Sequence, residues 1–374
     1  MRFSCERNIL NDAINIVQKA ASAKSTIPAL EGIQIQIRED GIVHFSAYDL
    51  SIAISYDIEA EQTEKGTVVL SSKIFGEIIR KLPFSCYVDV EIDNKTYLTT
   101  IKGGNSNFTI TGMSPENFPE LPEVLSEDGV SLTYSDFKLM VKQTIFAVSI
   151  TDLKPILTGV LFELNNEEGT LSAVAVDNFR LAIRRMPFAQ VQGNFNKVVI
   201  PSRVLNELLK ILPDSDEELI HIRSSKNFVS FSFESVLVVS RLLEGEFLDY
   251  KAALPKDYKF RVEVKVSQFR QVIERAALMA NSTIISPIRC EFDYNCIRIS
   301  TASNIGKFED SFECDTFAEK MTIGFNYKYM LAALNACEDE SIVIELQSNL
   351  SPILLRPVEK DDYLFLVLPL RMKE

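Results

Sequence analysis

SSKIFGEIIRKLP, residues 71–83, returns as PSRVLNELLKILP at 201–213 and again as FNYKYMLAALNAC at 325–337. In each, apolar residues recur at three- and four-residue spacing, the pattern of one helix face. Aligning the early basic residue of each copy, Lys73, Arg203 and Lys328, gives offsets of 130 and 125 residues. A second marker agrees. The segments AYDLSIAI around Asp49, AVDNFRLAI around Asp177 and ASNIGKFED around Asn304 lie 128 and 127 residues apart. Two markers on one period describe a tandem array of three similar domains. Proline-rich stretches PENFPELPEV (115–124) and EFLDYKAALPKDY (246–258) sit where linkers belong, so the expected domains are 1–126, 127–254 and 255–374. A triplicated module builds symmetry around something and is a poor starting point for a single active site.

Each third reads as a helix, strands, a second helix and more strands. In the first third, residues 7–24 place Ile9, Leu10, Ala13, Ile14, Ile16 and Val17 on one helical face. IQIQI at 33–37 and IAISYDI at 52–58 alternate as half-buried strands do, and EDG at 39–41 signals a hairpin turn. A helix over 72–82 follows, with Ser71 or Ser72 as N-cap and Pro83 ending it, before strands at 88–92, 97–101 and 107–111. Further helices are expected at 134–149, 201–212, 267–281 and 325–337. The fold class is therefore α+β, each domain made of two βαβββ half-units.

The bulk numbers exclude more than they assign. The 374 residues are 46% apolar and 24% charged, as in a water-soluble globular protein, and no run reaches the length of a membrane span. MRFSCERNIL lacks the layout of a secretory signal, so a cytoplasmic protein is expected. The six cysteines form no CxxC pair, which points to reduced thiols rather than a metal centre. His44 and His221 both lie in strand-like segments, as rim or core residues. There is no P-loop, GxGxxG, GxSxG or HExxH, and Asp361–Asp362 reads as a solvated turn. No catalysis and no cofactor are expected.

The net charge of −13 argues against a nucleic-acid partner until its distribution is examined. The six helix windows carry thirteen basic residues, Arg7, Lys19, Lys24, Lys73, Arg80, Lys81, Lys138, Lys142, Arg203, Lys210, Arg270, Arg275 and Lys328. Opposing them are only Asp12, Glu77, Asp136, Glu207 and Glu274, so the windows total +8 and the remainder −21. Lysine and arginine are good helix formers, but glutamate is equally good and is scarce here. Helices facing a common polyanion, with the sheets turned away, is the reading that also suits the triplication.

At this point the chain resembles, over its whole length, the bacterial DNA polymerase III beta subunit family of sliding clamps. The matching stretches are SPENFPELP (114–122), LTGVLFE (157–163), AVDNFRLAI (175–183), VVIPSRVLNELLKIL (198–212), SRLLEGEFLDYKAALP (240–255), GFNYKYML (324–331) and LVLPLRM (366–372). The resemblance implies a head-to-tail homodimer whose six domains close a ring around double-stranded DNA, gripping it without regard to sequence. It implies DNA contact by Lys24 and, more weakly, by Lys154 and Arg203; the helix charge adds Lys73, Arg80, Lys138, Lys142, Lys210, Arg270 and Arg275. The ring would close where a strand with Phe108 and Ile110, near Lys73, meets a helix with Leu278 and Met279. The resemblance further implies that the replicative DNA polymerase, the clamp loader and repair proteins dock short peptides in one groove per chain. Its positions correspond to Leu157, Val176, Asn178, Phe179, Arg180, Leu181, Pro255, Asn326, Tyr329, Ser351, Leu366, Leu368, Pro369, Leu370 and Arg371. Family members commonly carry Thr where Val176 stands and His where Phe179 stands, and a proline before Asp249. The two apolar replacements put polar contacts to the peptide in question. Two other readings stay open: a monomeric peptide-binding scaffold, and an enzyme using Asp177 with Arg180.

Overall fold

The computed structural model describes residues 1–372 except 38–41, 127, 152, 166, 194, 196, 281–286, 305 and 315–319, so the EDG turn lies outside the described residues. Contacts divide the chain into two compact units, and the middle repeat is shared between them.

The first unit comprises Met1–Tyr134, Ala189–Phe195 and Asn206–Leu242. It holds a five-stranded sheet in the order Glu61–Glu64, Arg2–Glu6, Tyr87–Ile92, Leu98–Gly103 and Ser106–Thr111. Its nine-stranded sheet joins strands from two repeats, because Ile52–Glu59 pairs antiparallel with Val236–Arg241. Helices α1 (Arg7–Val17) and α2 (Ser72–Lys81) pack on each other. Ser71 is the N-cap of α2, its Oγ accepting from Ile74 N at 3.5 Å. Phe75, Ile78 and Ile79 form the buried stripe of α2, and Gly76 lets Ile14 of α1 and Gln18 just beyond it approach where a Cβ would crowd them.

The second unit comprises Ser135–Phe188, Asn196–Leu205 and Leu243–Glu374. Its eight-stranded sheet again joins two repeats, through the antiparallel pair Arg180–Pro187 and Tyr363–Val367. A four-stranded sheet runs Lys307–Glu313, Cys296–Ala302, Ile288–Asp293 and Met321–Phe325. Helix α3 (Tyr134–Lys142) lies in this unit apart from its first residue, and α4 (Ser202–Ile211) runs from it into the first. Helices α5 (Val266–Ala277) and α6 (Tyr327–Ala336) pack on each other. The mixed α+β class and repeated helix-and-strand order are those the sequence implies.

Helix lengths differ from expectation. The first helix stops at Val17 and continues as a 3-10 turn, Gln18–Ala20, so Lys24 sits in a following loop. Residues 134–149 split into α3 and a 3-10 turn, Ile145–Ala147. Apolar periodicity persists through these turns because they still cover the core, so periodicity alone cannot mark where the hydrogen bonding changes. Ile9, expected on the buried face, is 42% exposed.

His44 is buried beside Asp57 on the neighbouring strand, and His221 Nδ1 lies 2.8 Å from Ser131 Oγ. All six cysteines are free. Burial pushes the thiols of Cys5 and Cys337 up to about 12, and that of buried Cys290 well above its usual range. Titration of native protein with a thiol reagent is therefore expected to modify half-buried Cys86, Cys296 and Cys314 first. Cys5, Cys290 and Cys337 should react only as the chain unfolds; a fast reaction at any of these three would contradict the packing.

Candidate functional site

The hairpin joining Thr170–Val176 to Arg180–Pro187 is turned by Asp177, Asn178 and Phe179. Asp177 N donates to Arg180 O at 3.0 Å, and Asp177 Oδ1 accepts from Phe179 N at 2.7 Å and Arg180 N at 2.9 Å. Asp177 Oδ2 accepts from Arg180 Nε at 3.0 Å. Both carboxylate oxygens are thus occupied in forming the turn, an arrangement short polar side chains favour. The Arg180 guanidinium lies 4.9 Å from the Tyr329 ring centroid and 5.8 Å from that of Phe146. Phe179 stacks on Tyr329 with centroids 5.4 Å apart. Burial raises the Tyr329 hydroxyl's pKa, Asp177 adds to the rise, and Arg180 opposes it.

Beyond the last strand the chain stays extended beside this turn. Leu368 N donates to Phe179 O at 2.8 Å and Leu370 N to Gly324 O at 2.7 Å. Glycine is required at 324, since a Cβ would stand 2.7 Å from Met372 Cγ and 3.0 Å from Leu370 O. In an extended chain alternate residues share a face, so Leu366, Leu368 and Leu370 follow one another along it. Leu366 is buried, Leu368 is 37% exposed and Leu370 is half-buried.

Leu366 belongs to an apolar floor with Leu157, Val176 and Leu181. Leu161, Val174, Ile183, Val199, Phe247, Tyr250, Leu354 and Leu364 complete that floor, and Ile156, Leu243 and Leu254 pack against it. In the turn Phe179 is 43% exposed and Asn178 is exposed, and Arg371 is exposed in the C-terminal segment. Pro255 is half-buried and follows Leu254. Two expected polar contributors already have partners: Asn326 Oδ1 accepts from Lys328 N at 3.0 Å as the N-cap of α6, and Ser351 Oγ lies 2.7 Å from Ser348 Oγ. Val176 is buried within this apolar cluster.

Sequence reasoning missed Phe146, Ile156, Phe247, Tyr250 and Leu354. Phe247 and Tyr250 lie in the quoted stretch SRLLEGEFLDYKAALP, where their aromatic character was the available signal. Tyr250 Oη donates to Glu163 Oε2 at 2.9 Å, anchoring that segment to the sheet.

The candidate cations divide between the units. In the first, Lys24, Lys73, Arg80 and Lys210 are exposed. Arg80 lies 3.4 Å from Glu77, and Lys210 lies 2.7 Å from Glu207. In the second, Lys142, Lys154, Arg203 and Arg275 are exposed, while Lys138 and Arg270 are half-buried. Arg275 lies 2.6 Å from Asp310 and holds that carboxyl below its usual range, chiefly by hydrogen bonding. Arg7 corrects the helix charge count. It is buried, donating to Ile79 O at 3.0 Å and Arg80 O at 2.7 Å, where it closes the C-terminal end of α2.

Ser106–Thr111 is the outermost strand of the five-stranded sheet, with half-buried Phe108 and Ile110 alternating with exposed residues. Lys307–Glu313 is outermost in the four-stranded sheet. At the end of α5, Leu278 is 72% exposed, and Met279 O accepts from Ser303 Oγ at 2.7 Å. Among the described residues no group of His, Cys, Asp and Glu could hold a metal ion, and no helix is long and apolar enough to cross a membrane.

The three domain patterns of the DNA polymerase III beta subunit match in order: the N-terminal domain over residues 1–122, the central domain over 131–249 and the C-terminal domain over 251–371. The chain is 34% identical to the beta sliding clamp of Bacillus subtilis, over 99% of its own length and 100% of the relative's. It is 36% identical to that of Halalkalibacterium halodurans, with 99% and 100% covered. The crystal structure of the Bacillus subtilis DNA polymerase sliding clamp matches with a TM-score of 0.94 at 32% identity, both chains covered completely. A putative DNA polymerase III beta subunit from Eubacterium rectale matches at 0.94 and 30%, with 99% of each chain covered. With three clamp domains in order and relatives matched end to end, this chain belongs to the DNA polymerase III beta subunit family, the beta sliding clamps.

Proposed function

We propose that the protein is a non-catalytic processivity factor, two copies joining head to tail into a ring that threads duplex DNA. The domains 1–126, 127–254 and 255–374 are its repeating parts. The observation that carries this reading is an apolar cluster reaching Leu366, beside partly exposed Leu368 and Phe179, in a clamp-family chain with edge strands at Ser106–Thr111 and Lys307–Glu313. A head-to-tail cyclic dimer would cover the edges at Ser106–Thr111 and Lys307–Glu313 together. Phe108 and Ile110 then meet Leu278 and Met279 of the second copy, with Lys73 nearby. Exposed helix cations, Lys73, Arg80, Lys142, Arg203 and Lys210 among them, supply attraction to phosphates that carries no sequence information.

The groove takes hydrophobic anchors of short peptides from the replicative polymerase, the clamp loader and repair proteins. Arg180, Asn178 and Arg371 are its polar contacts. A cytoplasmic location accords with partners of this kind. The hydrogen bonds of Asp177 disfavour an enzyme built on Asp177 and Arg180, because both its oxygens are taken up by the turn.

Retention on DNA tests the ring. Protein loaded on a nicked circle should remain through gel filtration, and should run off once the circle is cut. Equal loss from both would remove the ring reading, and sedimentation as a single chain at micromolar concentration would leave only the monomeric scaffold.

A further inference from the structure

We propose that Glu77 and Glu207 are positioning residues that restrain the grip of the helices on DNA, by holding Arg80 and Lys210 in ion pairs. This rests on the DNA-encircling reading above. The two acids occupy the same place in successive repeats: Glu77 and Glu207 are 130 residues apart, and so are Arg80 and Lys210. Both pairs form, Glu77 with Arg80 at 3.4 Å and Glu207 with Lys210 at 2.7 Å, each with i,i+3 spacing. The third repeat confirms that they travel together. At the corresponding offsets of 125 it has Ala332 and Asn335, so acid and base are both missing.

These pairs face away from the core. Phe75, Ile78 and Ile79 are the buried stripe of α2, and Glu77 and Arg80 are exposed. On α4, Val204, Leu205 and Leu208 are buried, while Lys210 is exposed. Glu207 is the more enclosed acid, its side chain 19% exposed, and it also lies 3.9 Å from Lys19. One carboxylate therefore collars two cations.

A cation paired with a carboxylate releases fewer counterions when it meets a phosphate, and the carboxylate itself repels that phosphate. A ring held by enclosure gains nothing from tight binding and loses mobility by it. Keeping positive potential on the helices while blunting individual contacts preserves attraction without friction.

The test compares two double variants of the full-length dimer, Glu77→Gln/Glu207→Gln and Arg80→Gln/Lys210→Gln. Binding to a fluorescein-labelled primed duplex is followed by anisotropy across a sodium chloride series, with thermal melting alongside. The acid-to-glutamine variant should bind about tenfold tighter at low salt, and its plot of log affinity against log salt should steepen by at least about one. The base-to-glutamine variant should bind more weakly with a shallower slope. If the pairs only brace their helices, both variants lose similar melting temperature and neither gains affinity, which overturns the proposal. Wild-type protein that binds and slides, with an acid-to-glutamine variant of unchanged slope, overturns this proposal alone. Wild-type protein with no duplex retention overturns the ring reading and this proposal with it.

Discussion

Replacing Leu368 and Leu370 together by alanine is expected to weaken binding of a polymerase-derived peptide roughly a hundredfold or more, and to abolish polymerase stimulation. Buried apolar anchors dominate such sites, each worth about 2 kcal/mol or more when truncated, and 1.4 kcal/mol is a factor of ten. The fold should hardly notice. Leu368 is 37% exposed, Leu370 is half-buried, and the backbone bonds that anchor their segment, to Phe179 O and Gly324 O, survive side-chain truncation. The loss of folding stability should stay near about 1 kcal/mol per residue. Peptide titration and thermal melting on the same sample check both halves. A large drop in melting temperature, or a dimer that falls apart, would move these leucines from groove to core. Leu366 offers the contrast: it is buried in the floor, and its replacement by alanine should cost about 2–5 kcal/mol of stability.

Leu278→Asp should have the reverse profile. Leu278 is 72% exposed in the single chain, so the substitution removes little from the fold. In the proposed ring it would set a desolvated charge against the apolar Phe108 and Ile110, which costs several kcal/mol even with Lys73 nearby. Sedimentation should find a folded monomer at concentrations where the unmodified protein is a dimer, and retention on nicked circles should vanish. Peptide binding should persist, because Leu278 is not among the residues of the groove floor. Loss of peptide binding together with the dimer would mean the two sites are not separable. A dimer unchanged by the substitution would place the contact elsewhere.

Much of this was legible in the residues. The repeat at Lys73, Arg203 and Lys328 revealed three domains because helix caps and apolar stripes are local patterns that survive divergence. Ser71 as a cap and the placement of His44 and His221 in strands needed only short windows. Asp177 and Arg180, left open by the sequence as a possible catalytic pair, form a turn and an ion pair.

Other features were beyond reach. Arg7 looked like another helix cation, yet its guanidinium is buried against the end of α2, more than seventy residues away in sequence. Nothing in the sequence marked Phe146, which folding brings to Arg180. Folding also assembles the floor, where Leu157, Phe247 and Leu354 come from distant segments.

Local pattern sufficed for the repeat, the class and the segregation of charge, since caps, periodicity and composition act over a few residues. Which cations stay exposed, which acids restrain them and which leucines remain open to a ligand depended on long-range packing. Burial and ion pairing are set by neighbours that the chain brings together only when it folds.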